Sequence, residues 1–164
     1  MMKKQKGLIE DTAKNWLSDR GVSLRDIGEL VYDLQKSYYP SVTIEDCLEN
    51  VERVLSKREV HNAILTGIQI DRLAEEGKLD PPLQGIIERD EGLYGIDEII
   101  ALSIVNVYGS IGFTNYGYID KEKPGILKKL NDKNNGCHTF LDDIVGAIAA
   151  AASSRLAHRE AGEY

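Results

Sequence analysis

The chain has 164 residues, 42% of them hydrophobic and 29% charged, with a formal net charge of −7. That length and balance suit one globular domain with a sizeable core, while the negative charge argues against a nonspecific nucleic-acid binder and against simple attraction to anionic lipid. Cys47 and Cys137 lie far apart and form no CxxC pair, which argues against a disulfide framework or thiolate-bound zinc and fits a cytoplasmic location.

The periodicity is helical nearly throughout. No signal peptide is expected, because the basic run over residues 1–6 leads to Glu10 and Asp11 rather than to an apolar stretch. A first amphipathic helix is predicted over 5–19 and stops at Gly21. Ser23 caps a second, with Leu24, Ile27, Leu30, Val31 and Leu34 on one face, fading at Tyr38-Tyr39-Pro40. Thr43 with Asp46 forms a capping box for a third, which carries Ile44, Leu48, Val51 and Leu55. A fourth runs over 59–76 with Ile64, Ile68 and Leu73 inward. Asp80-Pro81-Pro82 is a break, followed by a short helix over 83–89. The central apolar segment begins near Gly95 and weakens at Gly109, Gly112 and Gly117. Residues 120–124 read as a turn, and a short Lys-rich helix leads to the turn signal Asn134-Asn135-Gly136. The last helix starts near Thr139 and runs toward His158. The apolar stretches 99–113 and 144–157 are shorter than the roughly 20 residues a membrane span needs. The expected fold is all-α: one multihelical bundle over 1–164, with N-terminal helices over 1–80 and a second part over 83–164 arranged around a central Ala-rich helix.

Chemistry concentrates in that second part. Asp142 and Asp143 open the Ala-rich helix, and Asp97 and Glu98 open the central apolar helix. Acids near a helix N-terminus stabilise it by roughly 0.3–1 kcal/mol, and Thr139 with Asp142 also fits a capping box. Two such pairs beside apolar helices are costly to desolvate unless something positive compensates them, and a divalent metal is the obvious candidate. Lys123 lies beside a turn proline, with Lys128, Lys129 and Lys133 close behind.

These residues carry a resemblance. The segment 96–147 resembles the phosphatidylglycerophosphatase A family: an Asp-Glu pair before an apolar helix (Asp97-Glu98), then Asp-x-x-Lys-Pro (Asp120-Lys121-Glu122-Lys123-Pro124), then a Gly turn (Gly136) and Asp-Asp-Ile-Val (Asp142-Asp143-Ile144-Val145). The three matches occur in the family's order and at similar spacing. Ala101 stands where a Gly often follows the Asp-Glu pair. The long hydrophobic helices and the N-terminal Pro-Gly-Thr segment of membrane-bound relatives are missing, so the chain looks like the soluble Gram-positive branch grouped with the low-temperature-requirement C proteins.

The resemblance implies a Mg2+-dependent (or Mn2+-dependent) phosphomonoesterase of glycerophospholipid metabolism. Asp97 or Glu98 together with Asp142 or Asp143 would ligate the metal, because adjacent acids on a helix point about 100° apart. Asp120 would be a ligand or a general acid or base, Lys123 a phosphate clamp, and His138 a phosphate contact or proton relay. No phosphate-cradling loop surrounds Cys137, so a cysteine nucleophile is not expected. The expected partners are a phosphorylated small molecule or lipid head group, with membrane contact at most peripheral. Slim Ala-rich packing and Tyr38 and Tyr39 suggest a homo-oligomer. Two alternatives stand beside this: an all-α nucleotide pyrophosphatase, to which Glu49-x-x-Glu52 gives a partial match, and a nonenzymatic metal-binding helical oligomer.

Overall fold

A computed structural model describes residues 2–162, with the side chains of residues 2–6 outside the description. Its described residues form nine α-helices and no strand: α1 (Met2–Asp19), α2 (Leu24–Gln35), α3 (Ile44–Leu55), α4 (Arg58–Glu75), α5 (Leu83–Glu88), α6 (Ile96–Val105), α7 (Ser110–Glu122), α8 (Ile126–Leu130) and α9 (Leu141–Glu160). The expected all-α bundle is what forms. Local chemistry sets several boundaries. Ser23 with Asp26 and Thr43 with Asp46 make complete capping boxes at the starts of α2 and α3. Positive φ angles at Gly95 (75°) and Gly109 (81°) let the chain turn before α6 and α7.

The Ala-rich helix is central. Every residue of α9 from Leu141 to Ser154 is buried, as expected of a helix without a polar face. It is surrounded by α2, α3, α4, α6, α7 and α8. Small residues permit that close approach. A Cβ placed on Gly67 of α4 would lie 2.3 Å from Ile144 Cδ1 and 2.9 Å from Phe140 Cβ, so α4 seats against α9 only because Gly67 has no side chain.

Two expectations need correcting. Residues 120–122 are not a turn: α7 continues through Gly112 and Gly117 to Glu122, because Gly112 is buried against Val105 and Ser154 and loses nothing by lacking a side chain there. Nor does Thr139 cap the last helix with Asp142. Its hydroxyl donates to the Ile87 carbonyl at 2.6 Å, and α9 begins two residues later. The cap comes from α4. Asp71, fully buried, accepts the Phe140 N–H at 3.1 Å and the Leu141 N–H at 3.0 Å, which satisfies two orphan donors of the helix start.

Candidate active site

The packing brings three helix ends to one place. α6 and α9 present their N-termini and α7 its C-terminal end. Between them lies a cavity of about 220 Å3 lined by Asp90, Glu91, Gly92, Asp97, Glu98, Asp120, Lys123, Asn131, Asp142 and Asp143. Both acid pairs, Asp120 and Lys123 therefore converge. Seven carboxylates and one ammonium line this cavity among the described residues.

Lys123 is the hub. Its Nζ lies 2.6 Å from Asp120 Oδ1, 3.0 Å from Asp142 Oδ2 and 3.5 Å from Asp143 Oδ1. It caps α7 in the left-handed conformation, with φ 46°. A non-glycine residue held there costs free energy and is found where the surroundings dictate the geometry. Burial pulls the Lys123 pKa down, but Asp142, Asp120 and Asp143 outweigh it and hold the ammonium above its ordinary range. Asp142 is 5% exposed and accepts the Asp143 backbone N–H at 2.8 Å. Burial raises the pKa of Asp142, with Lys123 opposing. Burial and then the Asp142 charge raise that of Asp143. Asp97 is buried in the first turn of α6, while Glu98 is exposed at the rim.

His138 lies elsewhere. It lines a neighbouring cavity of about 240 Å3 that shares Asp90, Asn131 and Asp142 with the acidic one. Its Nδ1 faces an Arg20 N–H at 3.1 Å, and its Nε2 is 2.9 Å from the Asn135 carbonyl. The ring is therefore the Nε2–H tautomer with both nitrogens engaged. Burial lowers its pKa. Its place is to hold the Gly136–Thr139 loop, which leaves no nitrogen for the proton relay expected from sequence. Arg20, just past the end of α1, and Glu75, at the end of α4, do the same. Arg20 Nη1 pairs with Glu75 Oε2 at 2.6 Å, Arg20 Nη2 donates to the Cys137 carbonyl at 2.7 Å, and Glu75 Oε1 accepts the Cys137 N–H at 2.8 Å. The Cys137 thiol is raised by burial, the opposite of an activated nucleophile.

Sequence reasoning missed Asp90, Asp71, Arg20 and Glu75. Asp90 lines both cavities, takes a positive φ of 51°, and has its carboxyl pKa raised by burial and then by Asp97. Asp71 did leave a signal: with Ile64 and Ile68 it continues the i, i+4, i+7 stripe of α4, so an acid sits on the buried face. Arg20 and Glu75 left none, since their partners are more than fifty residues away in sequence.

The donor set suits a hard cation. It consists of oxygens, mostly carboxylate, and burial raises the pKa of Asp142 and Asp143 against the opposing charge of Lys123, so a further cation there would be favoured. Among the described residues no three Asp, Glu, His or Cys side chains are gathered closely enough to hold an ion; the Lys123 ammonium stands among Asp120, Asp142 and Asp143 instead.

The sequence profile of the phosphatidylglycerophosphatase A family matches residues 26–158. The chain belongs to that family. The match extends well beyond 96–147, taking in α2, α3 and α4 as well as the acidic segment. The chain is 68% identical over 152 residues to the uncharacterized protein YutG of Bacillus subtilis (strain 168), covering 92% of each. Among solved structures it is similar to the low temperature requirement C protein of Listeria monocytogenes. That protein is 66% identical with a TM-score of 0.92, over 93% of this chain and 97% of that one. A protein of unknown function from Bacillus stearothermophilus is 74% identical with a TM-score of 0.90, over 92% of this chain and 94% of that one. As in the expected branch of the family, no helix among the described residues is long and apolar enough to cross a membrane.

Proposed function

We propose that this member of the phosphatidylglycerophosphatase A family is a divalent-metal-dependent phosphomonoesterase that releases phosphate from a glycerol-phosphate ester. The observation that carries this is the imbalance of seven carboxylates against one ammonium around a single cavity. A phosphate dianion is repelled from such a place unless a cation joins it. Asp97 or Glu98 from α6 and Asp142 or Asp143 from α9 would hold that cation. When bound, Mg2+ or Mn2+ would supply polarisation of a phosphoryl oxygen and a water acidic enough to attack at neutral pH.

The chain's own residues do the rest. Lys123 neutralises a nonbridging phosphoryl oxygen as a point charge. Asp120, the most open carboxylate around Lys123 at 32% side-chain exposure against 7% for Asp142 and 6% for Asp143, takes or gives the proton at its carboxylate oxygen. The adjoining cavity, reached past Asp90 and Asn131, takes the alcohol part of the ester. Among the described residues neither cavity is lined by Phe, Tyr or Trp, and the His138 ring at the adjoining one is held by Arg20 and Asn135 rather than left open to stack on a nucleobase. Glu49 and Glu52 of α3 pair with Arg159 of α9 and Lys14 of α1 and line neither cavity. Both facts weigh against the nucleotide pyrophosphatase alternative. The Lys123–Asp142 ion pair favours a nonenzymatic brace between α7 and α9 as the second reading. A homo-oligomer remains part of the proposal, supported by exposed Tyr38, Ile99 and Tyr118; sedimentation at monomer mass would refute that part.

The test is phosphate release from glycerol 3-phosphate and from vesicles containing phosphatidylglycerophosphate, with MgCl2 and with EDTA, beside pyrophosphate release from nucleoside triphosphates. Metal-dependent phosphate release is expected, falling at least about 100-fold in Asp97→Asn and Asp143→Asn while helical circular dichroism is kept. Undiminished turnover in both variants, or pyrophosphate as the only product, would contradict the assignment.

A further inference from the structure

Tyr116 lies one helical turn before Asp120 on α7. It is 7% exposed, and its phenol oxygen is enclosed with no hydrogen-bond partner among the described residues. A buried unpartnered hydroxyl costs free energy that a phenylalanine of the same shape would not. The ring rests on the part of α9 that carries the acids. Its Cε2 lies 3.8 Å from where a Cβ on Gly146 would sit, and Gly146 is three residues past Asp143. Helical side-chain positions lean toward the N-terminus, so that spot lies toward Asp143. After burial, the charges bearing on the phenol are those of Asp143, Asp120, Glu98 and Asp142, in falling order. Among the described residues, the cation that approaches the Asp143 carboxylate is Lys123, at 3.5 Å. A donor without an acceptor thus neighbours an acceptor with open lone pairs. Tyr116 does not line the acidic cavity, so it cannot touch a substrate there and acts through Asp143.

We infer that Tyr116 is a positioning residue whose phenol O–H donates to the Asp143 carboxylate once a divalent cation competes with Lys123 for that carboxylate. The inference rests on the metal-dependent reading above. It accounts for a hydroxyl kept in the core without a partner: its acceptor belongs to the cation-loaded state. The full chain carrying Tyr116→Phe tests it in two measurements, thermal melting without metal and calorimetric titration with MnCl2. Without metal the variant is expected to melt at the wild-type temperature or a few degrees above it. Its Mn2+ affinity is expected to fall about tenfold or more, as for other partners that orient metal ligands. Unchanged Mn2+ affinity would overturn the inference and leave the phosphatase reading standing. A lower metal-free melting temperature would also overturn it, because the hydroxyl would then be at work in the resting fold. A wild-type chain that takes up no Mn2+ would remove both.

Discussion

Asp142 and Asp143 are neighbours in sequence, buried together, and served by one lysine. Like charges in a shared low-dielectric site disfavour ionisation, and burial adds to this. Such a pair costs the resting fold stability. Asp143→Asn is therefore expected to stabilise the metal-free protein at pH 8 by about 1 kcal/mol, a Tm rise of roughly 2–4 °C for a domain of this size, while abolishing metal-dependent turnover. Differential scanning fluorimetry reads the first effect, and a lower Tm would show that the carboxylate is already compensated. At this scale the sequence was most legible where acids open helices. Asp97, Glu98, Asp120, Lys123, Asp142 and Asp143 could all be picked out and do meet. His138 could not be placed, because its role depends on Arg20, 118 residues away.

Helix α9 owes its start to α4. Asp71→Ala would leave the Phe140 and Leu141 N–H groups unsatisfied inside the core, at a cost of about 2–3 kcal/mol. Asp71→Asn keeps an acceptor and is expected to recover most of that. Urea unfolding of the two variants distinguishes this from a general intolerance at the position, which would make them equal. Gly67→Ala presses a methyl group onto Ile144 and Phe140 and is expected to cost about 1–3 kcal/mol, lowering the urea midpoint without changing the helical signal. The caps of α2 and α3 were legible because each donor and acceptor lies within four residues. The cap of α9 was not, because Thr139 found a tertiary acceptor at Ile87 and Asp71 took its place from 69 residues away.

Across the whole molecule, the acids create a pH signature. Asp71, Asp90, Asp142 and Asp143 all have their pKa raised, with burial the largest cause in each. A carboxyl whose pKa is higher folded than unfolded binds more protons in the native state between those two values, so stability falls as pH rises through that window. Glu75, with its pKa lowered chiefly by Arg20, and Asp46, lowered chiefly by Thr43, work the other way. Their contribution is complete above the unfolded carboxylate range and is lost only below it. Metal-free protein is therefore expected to lose stability from about pH 4 upward, and added Mg2+ to flatten that slope. A melting temperature that rises steadily from pH 5 to 8 without metal would contradict this. The bundle was readable from periodicity and its central helix from the run of small residues Gly146–Ala152, whereas the second cavity was not, since α4, α5 and the Gly136 loop meet there without a shared motif.

All of this depends on the acids of α6 and α9 serving as a cation site. The most direct test is an anomalous difference map from a crystal of this protein soaked in MnCl2. The account predicts a peak in the acidic cavity, within coordination distance of a carboxylate from Asp97 or Glu98 and one from Asp142 or Asp143, with the Lys123 ammonium moved off Asp142. A cavity without a peak, and Lys123 still seated on Asp120 and Asp142, would contradict it.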